Sequence, residues 1–373
     1  MIWIFWGAAA LLAYTYAGYP AWLWLRARFR RIPVRAGDTN LRLSIAMVVR
    51  NEERVIRAKL ENLLTLDYPA ELLDIVIVSD GSTDQTDTIL HELAQNSRVQ
   101  VVLNQLSQGK ASGLNDAMQV AQGDVVVFTD ARQTIESAAL RRLVRNFADP
   151  QVGCVSGELM LGDPDSGEAD YGMGVYWRIE KKVRELESAS GSVVGATGAL
   201  YGVRRELLVP VPPQTLLDDV YIPMQVLRSG KRVVFEPEAR AWDSPDQGAG
   251  REFSRKVRTL SGNYQLVQLM PWILSSNNPV RFEFISHKLL RLLGPFALMA
   301  ALISSALLPQ AFYRMAFLLQ LAFYASSLLG KFGIRLGPLA RVGDAAFTFV
   351  VLNMAAAVAF ANFVTGRRAA WTR

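Results

Sequence analysis

DIVIVSDGSTDQTD, residues 74–87, joins three signals without a break. Ile75–Val78 is apolar and β-branched at every position, as in a strand buried on both faces of a parallel sheet. Turn-forming residues from Ser79 to Asp84 stop it, and Ile89, Leu90 and Leu93 then recur at helical spacing. Ser82 followed by Gln85 fits a capping box, which predicts a helix starting there. Ligands of open α/β sheets bind beyond the carboxyl ends of the strands, where Asp80 and Asp84 fall. The plain alternatives are a turn made by Asp80 and a helix-dipole contact made by Asp84.

The same grammar repeats on either side. Leu43–Val49 reads as a strand ending in Arg50-Asn51-Glu52-Glu53, followed by a helix bearing Ile56, Leu60, Leu63 and Leu64 that Tyr68-Pro69 ends. Val99–Leu103 is a third strand, leading through Gln105–Lys110 into a helix over Ser112–Val120, and Asp124–Phe128 is a fourth, leading into Thr129-Asp130-Ala131-Arg132. Strands alternating with helices predict an α/β, doubly wound sheet. Beyond Pro150 the alternation weakens. Val152–Met160 and Arg232–Phe235 read as strands, Tyr171–Ser188 as an amphipathic helix, and Leu217-Asp218-Asp219 as a helix start. Small residues in Gly195–Tyr201 permit close backbone approach.

The ends of the chain differ from this middle. Of 373 residues 51% are hydrophobic, and the excess lies at the termini. Ile2–Leu25 is long enough to cross a bilayer and has Trp and Tyr near both ends. Positive charge follows it (Arg26, Arg28, Arg30, Arg31, Arg35), the reverse of a signal peptide, so the N-terminus is expected outside and the arginines in the cytoplasm. Tyr264–Ile285 is expected to lie along the membrane surface, followed by spans at Leu292–Leu308, Phe312–Leu329 and Ala345–Val364, with Pro295 bending the first. Lys331, Arg335 and Arg341 place their loop in the cytoplasm, which would leave Arg367, Arg368 and Arg373 outside, against the charge rule. The expected divisions are a transmembrane helix at 1–25, a basic linker at 26–40, a cytoplasmic domain at 41–263, an interfacial segment at 264–288, a membrane region at 289–366 and a tail at 367–373. The net charge of +6 fits anionic lipid headgroups, and nothing interleaves basic and aromatic residues as a nucleic-acid surface would. Cys154 is the only cysteine, which excludes an internal disulfide and a thiolate metal cluster, and His91 and His287 lack metal-ligand spacing.

The motifs resemble, in order, those of the membrane-bound family 2 glycosyltransferases, the inverting enzymes with a GT-A fold that include cellulose, chitin and hyaluronan synthases and bacterial exopolysaccharide transferases. The resemblance spans about Leu41–Asn263. It implies a GT-A-type mixed sheet with flanking transmembrane helices. Asn51 and Glu52 (with Arg50 for the usual Tyr), Asp80 in Asp-Gly-Ser-Thr-Asp, and Lys110 after Gly109 then match nucleotide-sugar contacts. Asp130 stands first in the family's Asp-x-Asp, the site of a divalent cation (Mg²⁺ or Mn²⁺), but Arg132 stands third. Asp219 matches the catalytic base, with Asp218 beside it; Arg255 and Arg258 match the diphosphate and acceptor motif, except that Thr259 replaces its Trp. The implied reaction is inverting transfer from a nucleotide-diphospho-sugar, expected to be a UDP-sugar, to a growing exopolysaccharide or cell-surface glycan. Single transfer to a membrane lipid and an inactive membrane scaffold are the alternatives. Membrane lipids and export or assembly proteins are the implied partners, and a bacterial-type inner membrane the implied location.

Overall fold

The structure is a computed structural model and describes residues 1–162, 175–243, 249–332 and 338–367. The first residues of the expected helix at 171–188, together with Arg335, Arg368 and Arg373, lie outside the described residues. Among those described, one sheet contains β1 (Leu43–Val49), β2 (Leu73–Asp80), β3 (Val99–Asn104), β4 (Val125–Phe128), β5 (Thr134–Ile135), β6 (Val152–Leu161), β7 (Tyr201–Arg204) and β8 (Arg232–Asp243). Their order is β3-β2-β1-β4-β7-β6-β8-β5. β3, β2, β1 and β4 are mutually parallel, β7 is antiparallel to both β4 and β6, and β8 is parallel to β6 and antiparallel to β5. The sheet is therefore mixed.

Strand alternation sorts the core into two layers. Ile45, Met47, Ile75, Ile77, Val125 and Val127 bury one face together with Ile56, Leu60, Leu140 and Leu143. Ala46, Val48, Val76, Val78, Val126 and Phe128 bury the other with Leu114, Ala117, Val220 and Met224. Both faces are covered, which is why the parallel strands are apolar throughout. The pairing of Val49 with Ser79, Asp80 with Asn104 and Ala46 with Phe128 brings the ends of these four strands to one edge. Asn51, Asp80 and Asp130 lie at or just beyond this edge.

Some elements differ from expectation for local reasons. The helix after β2 begins at Thr86, and Ser82 does not cap it. Asp84 Oδ1 accepts from the Thr86 amide at 3.0 Å instead, while Ser82 Oγ accepts from the Asn51 amide at 3.1 Å. The basic segment after the last strand is part of one helix, Ala249–Leu269. Pro295 lies where the helical run that begins at Arg281 passes from the 3₁₀ turn Leu290–Leu293 into the α-helix Gly294–Leu307.

Three helices are long and apolar enough to cross a membrane, by length and composition: Arg281–Leu307, Ala311–Lys331 and Val342–Val364. The N-terminal helix is not among them. It runs through Ile2–Ala13, a π-turn at Tyr14–Gly18, and Tyr19–Phe29, so Arg26 and Arg28 lie on its last turn rather than in a linker. Its Ala8 packs on Ala297 and Ala301, small residues that let two helices approach closely. Farther along, Tyr19 donates to Glu187 Oε1 at 2.6 Å and Arg26 pairs with Glu283. These bonds join the N-terminal helix to Val175–Ser190 and to the helical turn Arg281–Phe284.

Candidate active site

Asn51 follows β1 in the left-handed region, at φ +52°, which Asn tolerates better than most residues. Its side chain accepts from the Thr83 amide at 2.6 Å and donates to Thr83 Oγ1 at 2.9 Å. The Glu52 amide reaches Thr86 Oγ1 at 2.8 Å. Asn51 thus ties the loop after β1 to the loop after β2.

Asp80 ends β2 with no solvent exposure. Its oxygens accept from Ser107 Oγ (2.7 Å), the Gln108 amide (2.7 Å) and the Gly109 amide (3.0 Å). Gly81, at φ +63°, lies so close beneath that a Cβ there would come within 2.5 Å of the Ser107 nitrogen. The pair clamps the loop that delivers Lys110. Asn115, one turn into that helix, exchanges two hydrogen bonds with Val211 and so anchors the segment leading to Asp218.

Lys110 is the electrostatic centre. Its ammonium lies 2.9 Å from Asp130 Oδ1 and 3.3 Å from Asp218 Oδ2. Burial alone would lower its pKa, but Asp130, Asp218 and Asp219 together hold it above the usual lysine range. Asp219 is half-buried; desolvation and the Asp218 carboxylate push it up to about 6, against the pull of Lys110 and Lys288. Gly198 forms the floor: a Cβ there would stand 3.6 Å from Asp219 Oδ2 and 3.7 Å from Asp130 Oδ2. Two carboxylates therefore converge over a residue with no side chain. Tyr201, stacked on Phe128 and fully buried, carries a hydroxyl with no hydrogen-bond partner among the described residues.

Arg132 Nε lies 3.5 Å from Glu52 Oε1, so the third position of the Asp-x-Asp segment pairs with the first loop. Asp243 at the end of β8 accepts from Gln133 Nε2 at 3.1 Å, and Arg255 Nη1 lies 4.0 Å from the same carboxylate. This puts Arg255, which is exposed, at the rim beside the Asp130 loop; Arg258, about one turn on, is half-buried. His287 is a buried core histidine and His91 is exposed, so neither belongs to the site.

Lys59 escaped the sequence reading. It is buried in the helix Ile56–Leu64 and donates to Thr129 Oγ1 (3.0 Å) and to the Gln133 carbonyl (2.6 Å), bracing both ends of the Asp130 loop. Its place in an apolar helical stripe was the available signal, because a lysine there must find buried acceptors.

No group of three or more His, Cys, Asp or Glu side chains among the described residues forms a ready metal cage. Asp130 supplies a hard oxygen ligand facing the open floor over Gly198, which suits a cation that takes few protein ligands and completes its shell with phosphate oxygens and water. The donor set fits such an ion.

Residues 44–209 match the model of "Glycosyl transferase family 2". The chain is 25% identical over 221 residues to a poly-beta-1,6-N-acetyl-D-glucosamine synthase of Staphylococcus aureus, covering 58% of this chain and 53% of that protein. To the synthase of the same description from Staphylococcus epidermidis it is 23% identical over 229 residues, covering 60% and 55%. The chain thus spans about half the length of the curated relatives it matches. In three dimensions it is similar to a mannosyltransferase from Pyrobaculum calidifontis, solved in complex with GDP-Man and Mn²⁺. The TM-score is 0.71 at 24% identity, over 97% of this chain and 99% of that one. The fold is shared along nearly the whole length.

Proposed function

We propose that the protein is an inverting membrane glycosyltransferase of exopolysaccharide synthesis: residues 44–209 match the family 2 glycosyltransferase model, and among the described residues three helices are able, by length and composition, to cross a membrane. The observation that carries this reading is the convergence of Asp130, Asp218, Asp219 and Lys110 around Gly198 at the edge where the parallel strands end. A nucleotide-diphospho-sugar lies across the loops after β1 and β2, held by Asn51 and Glu52 and by the Lys110 loop that Asp80 shapes. Lys110, Arg132, Arg255 and Arg258 supply positive charge for the diphosphate, with Asp130 as the protein ligand of a divalent cation. When bound, that cation adds Lewis-acid stabilisation of the leaving group.

Asp219 takes the proton of the acceptor hydroxyl as its oxygen bonds to the anomeric carbon from the side opposite the diphosphate. The bond from that carbon to the phosphate oxygen breaks, and the nucleoside diphosphate leaves with its electron pair. A base held at about 6 is ionised at neutral pH yet keeps useful basicity, whereas an unperturbed carboxylate would be a weaker acceptor. The arginines from Arg26 to Arg35 favour a cytoplasmic catalytic domain at a bacterial-type inner membrane, with export or assembly proteins as partners.

Purified protein with a panel of UDP- and GDP-sugars tests the reading. One donor should yield nucleoside diphosphate and a glycosylated product, and chelation of divalent cations should suppress both. Failure of every donor to bind and turn over would leave the inactive scaffold as the answer. Activity unaffected by chelation would remove the cation and leave Lys110 with Arg132 as the diphosphate groups.

A further inference from the structure

The helix that carries Asp218 and Asp219 has no cap of its own. Leu217 stands at its N-cap, where an apolar side chain offers the first amides nothing. The approach to it, residues 209–217, contains Pro210, Pro212 and Pro213, which have no N–H to donate. Gln214 in this approach lies in the left-handed region at φ +62°, a conformation that a residue with a Cβ keeps only where its surroundings fix it. The start of the helix is therefore set from outside.

Two amide side chains set it. Asn115 holds Val211, and Gln265 holds the stretch next to Asp218. Gln265 Oε1 accepts from the Leu216 amide at 2.8 Å, and its Nε2 donates to the Gln214 carbonyl at 2.9 Å. Gln265 belongs to the helix Ala249–Leu269, which also carries Arg255 and Arg258. Arg258, Gly262 and Gln265 follow at helical spacing, so they share one face of it. Gly262 lets that face lie against the approach: a Cβ there would stand 2.5 Å from Leu217 Cγ. Leu266, next to Gln265, is buried in the same apolar cluster as Leu217 and Val220. Contact thus runs from Gln265 through Leu216 and Leu217 to the two carboxylates.

We propose that Gln265 is a positioning residue for the proton acceptor of the reaction. By fixing Gln214 and Leu216 it fixes where the next helix starts, and with it the place of the Asp219 carboxylate. The inference rests on the glycosyltransferase reading, in which Asp219 is the base, and adds a residue to the proton-transfer step alone. A base must lie within hydrogen-bond reach of the acceptor hydroxyl, so a shift on the order of 1 Å lowers the rate without weakening the donor. Among the described residues the Gln265 amide bonds only to Gln214 and Leu216, so the helix carrying Arg255 and Arg258 keeps its own bonds without it.

The test is a double-mutant cycle on the full chain in detergent. It uses the UDP- and GDP-sugar panel as donors, N-acetylglucosamine and mannose oligosaccharides as acceptors, and release of nucleoside diphosphate as the readout. Gln265→Met keeps the length of the side chain and removes both bonds. Its kcat should fall roughly 10–10²-fold while the donor Kd stays within about twofold of the wild type. In an Asp219→Asn background the same change should cost less than about threefold, because the displaced group no longer takes a proton. Additive losses, an unchanged kcat in Gln265→Met, or a donor affinity that falls as far as kcat overturns the proposal. If Gln265→Met does not fold, Gln265→Glu enters the same cycle under the same criteria, since it keeps the acceptor for Leu216 and loses the donor to Gln214. A wild type that releases nucleoside diphosphate from no donor removes the glycosyltransferase reading and this proposal with it, whereas additivity in an active enzyme removes the proposal alone.

Discussion

At the scale of single residues, Asp218 and Asp219 are neighbours with separate work. Asp218 is buried and paired with Lys110, whereas Asp219 faces the open floor over Gly198. Asp219→Asn keeps the size and removes the proton acceptor, so turnover should fall ~10²–10⁴-fold with a smaller change in donor affinity. A base must be ionised to act, so the acid limb of kcat/KM should lie near pH 6. Asp218→Asn removes the neighbouring negative charge that raises this group, so the limb should move to lower pH. A limb that stays in place would dissociate the two carboxylates. Gly198→Ala is the companion test: the added methyl meets both carboxylates at ordinary contact distance, so melting temperature should barely change while turnover drops. Asp130, Asp219 and Lys110 were legible in the sequence because each lies in a local motif. Gly198 was legible only as one small residue in a run, since its role depends on what comes together above it.

At the scale of elements, the site is held by loops that brace one another. Gly81→Ala should cost at least ~1 kcal/mol for the left-handed backbone alone, and more from the clash with Ser107. Asp80→Asn should weaken donor binding by loosening the 107–109 clamp, because an amide has one acceptor oxygen for three donors. Hydrogen exchange at the Gln108 and Gly109 amides should quicken in the same variant. Lys59 braces the Asp130 loop from below, and burial pushes it down to about 7 against the pull of Asp130. Above that pH the unfolded chain binds a proton that the folded one lacks, so stability rises with pH up to the ordinary lysine range. Lys59→Met lacks this dependence. The melting temperature of the wild type minus that of the variant should therefore grow from about pH 7 to about pH 9, and kcat/KM should fall as the loop loses its tie. β1 to β4 were readable because each is a continuous apolar run. The extent of β8 and the brief β5 were not, because their residues are ordered by cross-strand pairing distant in sequence.

At the scale of the whole molecule, the sheet domain and the candidate membrane helices are joined by buried polar bonds rather than by a loose tether. Tyr19, Glu187, His287, Glu180 and Arg291 form one chain of contacts running from the N-terminal helix to the first candidate span. Glu187→Ala removes the acceptor shared by Tyr19 and His287 and leaves both polar groups buried, a change worth ~1–3 kcal/mol per group. Its expected mark is a lower melting temperature in detergent and a separate unfolding step of the sheet domain. A single unchanged transition would show that the contacts do not couple the parts. For orientation, a cysteine introduced at Arg35 in a Cys154→Ala background should resist impermeant thiol reagents in intact cells. The apolar character of the C-terminal spans was legible from composition, but the sequence had no means of showing that Phe284, at the start of the first, joins the apolar cluster that contains Leu217 and Val220.

Lys110 is paired with both Asp130 and Asp218. Arrival of a diphosphate is therefore an exchange of counterions within a fixed set of charges, not the filling of an open positive hole. Lys110 would turn from carboxylate to phosphate, and Asp130 would be the residue left to hold a divalent cation. An exchange of this kind releases few ions to bulk, so donor affinity should respond weakly to ionic strength. Lys110→Met would leave the carboxylates facing one another, and donor binding would become an unbalanced charge reaction with a steep salt dependence.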